Sequence, residues 1–173
     1  MNETSPQGFP GEPATPLVSV IIPTYNHAHF LGRALQSVLD QTYPNWEAMV
    51  IDNHSQDNTD EIVRSYRDPR ITLLKISNKG VISASRNMGI RAARGDWVAF
   101  LDSDDLWYPA KLERCLAKLN EGFDLVCHGE RWLGEGRDRE IFYGPEARAS
   151  YQSLLFAGNC ISTSAVVIRR EHV

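Results

Sequence analysis

The 173-residue sequence contains no apolar run long enough to cross a bilayer, for which a helix needs about 20 consecutive apolar residues. Its start has neither the basic region nor the apolar core of a secretory leader. The expected location is therefore cytoplasmic, with peripheral association at the inner face of a membrane left open. Cysteine is scarce. Cys115, Cys127 and Cys160 are scattered and odd in number, which argues against a disulfide framework or a zinc-ligand set and suits reduced thiols. There is no basic block and the net charge is −4, so nucleic acid is not an expected partner. The glycines follow neither G-x-G-x-x-G nor G-x-x-x-x-G-K, which counts against a dinucleotide-binding fold and a P-loop. The histidines show no metal-ligand spacing; His27 and His29 flank one residue and read as a solvated pair.

What is present is an ordinary globular composition. Hydrophobic residues make up 42% and charged residues 23%, and the length suits one domain with its own core. Residues 1–16 carry Pro6, Pro10, Pro13 and Pro16 with Gly8 and Gly11 between them. Such a stretch cannot bury enough apolar surface to offset its ordering entropy. It reads as a disordered tail, leaving 17–173 as the single domain.

Short apolar runs then alternate with segments of helical spacing. Residues 17–22 form a strand stopped by Pro23. Phe30, Leu31, Ala34, Leu35, Val38 and Leu39 fall on one helical face. Strands are expected at 46–51, 71–76 and 97–101, with helices at 60–66 and 83–93. Asp57 or Thr59 suits the cap of the first of those helices. Alternation of this kind specifies a doubly wound, mainly parallel α/β sheet. Pro109 opens a helix to about Asn120, 123–127 and 164–168 read as strands, and 151–157 as a helix. Residues 129–150 are charged and Gly-rich and carry no clear pattern. No internal repeat is visible.

The densest chemistry lies in Trp97-Val98-Ala99-Phe100-Leu101-Asp102-Ser103-Asp104-Asp105. An apolar strand runs straight into three carboxylates, at the sheet edge where open α/β folds bind ligands. If the extended geometry persists, Asp102 and Asp104 leave on the same face. Like charges that close repel. A hard divalent cation with oxygen ligands removes the conflict and holds a phosphate oxygen as well. Two further polar groups reach that edge: Thr24-Tyr25-Asn26 and Asp52-Asn53. Tyr25 offers an aromatic face to a base, and Asp52 an acceptor for a base N–H. Arg86, on the helix before the fourth strand, offers a phosphate contact. Together they describe a pocket for a nucleoside diphosphate.

These motifs resemble the opening of glycosyltransferase family 2. The resemblance rests on residues 18–26, on Ser37 to Tyr43, on Val50 to Thr59, on Ala84 to Ile90 and on Gly95 to Asp105. Asn159 to Ser164, followed by Val166 to Arg170, is similar more loosely. The resemblance implies a GT-A fold and a metal-dependent, inverting transfer of sugar from a nucleotide sugar, often a UDP-sugar. It implies Mg2+ or Mn2+ as cofactor. The acceptor would be a sugar or a lipid-linked molecule, such as a precursor of a cell-surface polysaccharide or glycolipid. Carried onto this chain, Pro23, Thr24 and Tyr25 border the nucleoside and Asp52 contacts the base. Arg86 binds the donor, and Asp102 and Asp104 take the metal and diphosphate. Where one common variant has Asp-Asp, this chain has Asp52-Asn53.

The general base has no evident candidate in the matched segments. Family members usually continue into a region with an acidic base, and Ser162 is a poor base unless activated. His128 and Glu130 are the nearest internal alternatives. Two other readings stay open: a nucleotide-sugar-binding fragment impaired in catalysis, and a nucleotidyltransferase. The latter is disfavoured because residues 23–30 contain no glycine.

Overall fold

The computed structural model describes residues 15–134, 138–142, 150–156 and 161–173. The elements run β1 (Val18–Thr24), α1 (Ala28–Leu39), β2 (Trp46–Asp52), α2 (Thr59–Ser65), β3 (Ile71–Lys75), α3 (Ile82–Ala92) and β4 (Trp97–Phe100). Then come α4 (Lys111–Leu119), β5 (Leu125–Cys127), β6 (Glu130–Trp132), β7 (Arg139–Ile141), α5 (Tyr151–Phe156) and β8 (Val166–Arg169). A six-stranded sheet has the order β3-β2-β1-β4-β8-β5. The pairs β1–β2, β1–β4 and β2–β3 are parallel. Strand β8 runs antiparallel to both β4 and β5. The sheet is thus mainly parallel, as expected, with one reversed strand.

The central strand explains the architecture. Every residue of β1 is buried, which is why it reads as a continuous apolar run and not as an alternation. Val18, Val20 and Ile22 face one layer, with Leu31, Leu35 and Val38 of α1 and Leu112, Leu116 and Leu119 of α4. Ile21 faces the other, with Met49, Ile51 and Val98, against which Met88 and Ile90 of α3 pack. Each such side chain contributes about 1.5–3 kcal/mol on burial. Gly89 lets α3 approach: a Cβ there would lie 2.5 Å from Ile21 Cγ2.

Several boundaries differ from the sequence reading. Pro23 does not stop β1, which continues to Thr24. The Ile21 carbonyl points to the β4 side and takes the Leu101 N–H, and Pro23, two residues on, has the same orientation. The β4 pairing ends at Phe100 opposite Ile21, so the missing proline N–H leaves no bond unmade. Helix α4 starts at Lys111, with Pro109 in the turn before it. The unpatterned 129–150 stretch contains the β6–β7 hairpin, and a short 3-10 turn, Thr163–Ala165, precedes β8. Residues 1–14 of the expected tail at 1–16, and Ala157, Asn159 and Cys160, lie outside the described residues; the Thr15 carbonyl accepts from Asn45 Nδ2.

Candidate functional site

The parallel register brings the C-terminal ends of β1, β2 and β4 to one edge: Thr24 lies opposite Asp52, and Ile21 opposite Phe100. A cavity of about 380 Å³ opens there. Its wall includes Pro23 and Thr24 at the end of β1, Tyr25 just past it, Asn53 just past β2, and Asp102 and Asp104 after β4. Tyr25 is 53% exposed, with its ring free to meet a ligand. The Thr24 hydroxyl is buried and has no hydrogen-bond partner among the described residues. Leaving a buried hydroxyl unpaired costs about 1–3 kcal/mol, so this one is suited to a ligand atom.

The extended geometry does not persist past Phe100. Asp102 to Asp105 form a turn in which the Asp105 N–H donates to the Asp102 carbonyl at 3.0 Å. Both Asp102 and Asp104 still reach the cavity. Arg86 Nη2 donates to Asp102 Oδ1 at 2.7 Å, and the buried Arg86 Nε has no partner among the described residues. Asp105 reaches solvent, but partial burial still pushes its carboxyl above the ordinary range. Asp104, Asp102 and Glu130 add to that rise, while the Ser164 hydroxyl works against it.

Asp52 and Asn53 divide their work differently from the sequence reading. Asp52 is fully buried and does not line the cavity. It accepts from the Ser55 N–H at 3.1 Å and from the Ser55 hydroxyl. Lys75 Nζ donates to it at 2.6 Å and also reaches Asp60. These bonds, to Asp52 first, raise the Lys75 pKa. Asn53 is the residue on the cavity wall. Its Oδ1 accepts the Asn78 N–H at 2.9 Å, which fixes the amide so that Nδ2 is left as a donor.

A second layer of bonds ties the two loops together. The Asn26 side-chain oxygen accepts the Gln56 N–H at 2.7 Å, and the Asn26 N–H donates to Ser55 Oγ at 2.8 Å. Asp57 accepts the Ala28 N–H at the start of α1 at 2.9 Å and the Thr59 hydroxyl and N–H at the start of α2 at 2.5 and 3.2 Å. One carboxylate thus serves two helix N-termini, where negative charge is favoured. Burial acts to raise its pKa, but the Thr59 and Ala28 hydrogen bonds outweigh it and hold the carboxyl low.

His27 is not simply solvated. Its Nδ1 lies 3.0 Å from Ser103 Oγ, and its ring lines the cavity. His128 and Glu130, the alternatives for a base, do not line it. The His128 Nδ1 faces the Gly129 carbonyl at 2.8 Å, and burial lowers its pKa.

The sequence profile of glycosyl transferase family 2 matches residues 19–161. The chain belongs to that family. Among its relatives, an Escherichia coli protein described as UDP-Glc:alpha-D-GlcNAc-diphosphoundecaprenol beta-1,3-glucosyltransferase WfgD is 45% identical over 97 residues, covering 56% of this chain and 38% of that one. The Bacillus subtilis putative teichuronic acid biosynthesis glycosyltransferase TuaG is 41% identical over 108 residues, covering 61% and 43%. The chain therefore spans about two fifths of the length of these two relatives. Among solved structures, S. aureus TarS 1–349 in complex with UDP superposes with a TM-score of 0.71 at 25% identity, over 88% of this chain and 46% of that one. A mannosyltransferase of Pyrobaculum calidifontis, solved with GDP-Man and Mn2+, gives a TM-score of 0.67 at 23% identity over 95% of this chain and 48% of that one, which speaks to the fold alone. The family 2 chain thus has the GT-A architecture expected of it.

Sequence reasoning brought Pro23, Thr24, Tyr25, Asn53, Asp102 and Asp104 to this edge, and the structure sets them on the cavity wall. It gave the base contact to Asp52 in place of Asn53, read Arg86 as a phosphate contact without its Asp102 partner, and missed Asn78 and His27.

Proposed function

We propose that this family 2 chain forms the donor-binding part of a glycosyltransferase that takes a sugar from a nucleoside-diphosphate sugar. The observation that carries this is the shared cavity: Asp102 and Asp104 stand in one wall with Thr24, Tyr25 and Asn53. The nucleoside would lie against Tyr25, with the unpaired Thr24 hydroxyl and the Asn53 amide donor meeting polar atoms of the base or ribose. Asp52 supports this end indirectly, by fixing Ser55 and Lys75.

The residues fit a divalent cation. Asp102 and Asp104 supply hard carboxylate oxygens, as Mg2+ and Mn2+ prefer. No group of three or more His, Cys, Asp or Glu is arranged for a metal among the described residues. Two carboxylate ligands would leave coordination positions for phosphate oxygens, the usual arrangement for Mg2+. When bound, the cation would stabilise the charge of a leaving diphosphate. Arg86, already paired with Asp102, would add a charge-assisted contact to the same phosphates.

A UDP-sugar is the favoured donor, because the TarS structure holds UDP and WfgD is described as UDP-Glc-dependent. By the same likeness the acceptor is a lipid-linked or cell-surface polysaccharide precursor, and the transfer inverts configuration at the sugar, as the family resemblance implies. Isothermal titration of UDP with and without Mn2+, on the parent and on Asp104→Ala, tests the reading. The parent should bind UDP more tightly with Mn2+, and Asp104→Ala should lose that gain while keeping its melting temperature. Equal affinity with and without Mn2+ in both proteins would overturn it.

A further inference from the structure

The turn that carries Asp102 and Asp104 is held from below by a residue 62 positions later in the chain. Asp102 is the first residue past Leu101, whose N–H still donates to Ile21. The Asp102 N–H therefore has no strand partner. It donates instead to Ser164 Oγ at 3.0 Å. The Ser164 carbonyl accepts the Trp107 indole N–H at 2.9 Å. Both residues are buried, Ser164 at 4% and Trp107 at 6% exposure. Trp107 N–H in turn donates to Ser37 Oγ of α1 at 3.2 Å. One serine thus grips the turn at its first residue and again where the chain re-enters the core. The other side of Asp102 is held by Arg86.

Resting on the cation reading above, we infer that Ser164 is a positioning residue for the cation-binding turn, acting through the Asp102 backbone. A carboxylate pair holds a cation well only if both oxygens stand at the coordination distance, and a support loose by an ångström forfeits much of the affinity. The Ser164 hydroxyl sets where the Asp102 backbone stops, and hence where its side chain and that of Asp104 stand. Ser164 does not line the cavity and touches no ligand itself.

The test uses the 173-residue chain with Mn2+ and UDP as probes, read by electron paramagnetic resonance of bound Mn2+ and by calorimetry. Ser164→Ala should weaken Mn2+ binding in the presence of UDP roughly tenfold, the worth of one hydrogen bond, and broaden the bound-Mn2+ spectrum. UDP affinity without metal should stay within about twofold of the parent. Ser164→Thr, which keeps the hydroxyl, should restore both Mn2+ affinity and spectrum. The inference is overturned if Ser164→Ala binds Mn2+ as the parent does. It is overturned also if Ser164→Ala loses metal-free UDP binding to the same extent, which marks a general structural role. A Ser164→Thr protein that binds metal-free UDP normally but not Mn2+ excludes the hydroxyl as the positioning group. A parent that binds no Mn2+ at all sinks the cation reading itself, and this role with it.

Discussion

The guanidinium of Arg86 lies 2.7 Å from Asp102 Oδ1, with the two side chains 21% and 30% exposed. A fixed positive charge therefore already occupies one side of the carboxylate proposed to take a cation. The two charges compete for Asp102, but both favour a diphosphate.

That competition gives a prediction of opposite signs. Arg86→Gln should bind Mn2+ alone more tightly than the parent, by a few-fold, because a repelling neighbour is gone. The same variant should bind UDP more weakly by about one to two decades, the worth of a charge-assisted hydrogen bond at roughly 1.5–3 kcal/mol. Calorimetry with each ligand separately reads both signs.

Asp52 and Asn53 should separate on substitution. Asn53→Ala should weaken UDP about tenfold through the lost amide donor, with only a small fall in melting temperature from the Asn78 bond lost with it. Asp52→Ala should instead act on stability, because it leaves Lys75 and Ser55 without their buried acceptor. Breaking such a pair costs at most about 3–5 kcal/mol, and less here because Lys75 is partly exposed. Thermal melting set beside UDP titration distinguishes the two residues.

Asp57→Ala should lower the melting temperature by a few degrees, since a lost helix cap costs about 1 kcal/mol and two caps are involved. The Asp57 carboxyl is held below its ordinary range, so its contribution is present above about pH 4, where unfolded carboxylates ionise. It is lost as pH falls through the lowered value. Melting curves of parent and variant should converge toward acid.

Lys111 is 6% exposed, its Nζ has no hydrogen-bond partner among the described residues, and it lies 3.4 Å from the Trp107 ring centroid. Burial lowers its pKa to about 7. Between that value and the ordinary lysine value the unfolded chain binds the extra proton, so stability rises with pH. Lys111→Met should therefore be more stable than the parent, with the gap widest at and below about pH 7 and narrowing toward about pH 10. A gap that does not change with pH would show the amine to stay charged, with the Trp107 face compensating it.

Much of this was legible in advance because the relevant signals are local. Strand and helix identities followed from apolar runs and 3–4 spacing, and the Asp102–Asp104 pair from its place after a buried strand. The division between Asp52 and Asn53 was not legible, because adjacent residues at a strand end differ only in direction. Whether Asp52 meets a ligand depends on Lys75, which arrives from another strand. Ser164 was hidden for a similar reason. Its partners are backbone and indole N–H groups 62 and 57 residues away, and no spacing rule connects them. Pro23 misled because a proline breaks a strand only where its absent N–H would have had a partner.

Strand β8 enters the sheet between β4 and β5, pairing Arg169 with Trp97. As the chain leaves a ribosome, β4 emerges with one side unclaimed. At about 5–20 residues per second, several seconds pass before its neighbour is made. For that interval Trp97-Val98-Ala99-Phe100 is an apolar edge with bare amides, the kind of surface that templates aggregation. Closure across so long a stretch is also slow on entropic grounds. The proposed donor site therefore matures late: a nascent chain paused before residue 161 would hold most of the core and the acidic turn, yet lack the strand and the serine that finish them.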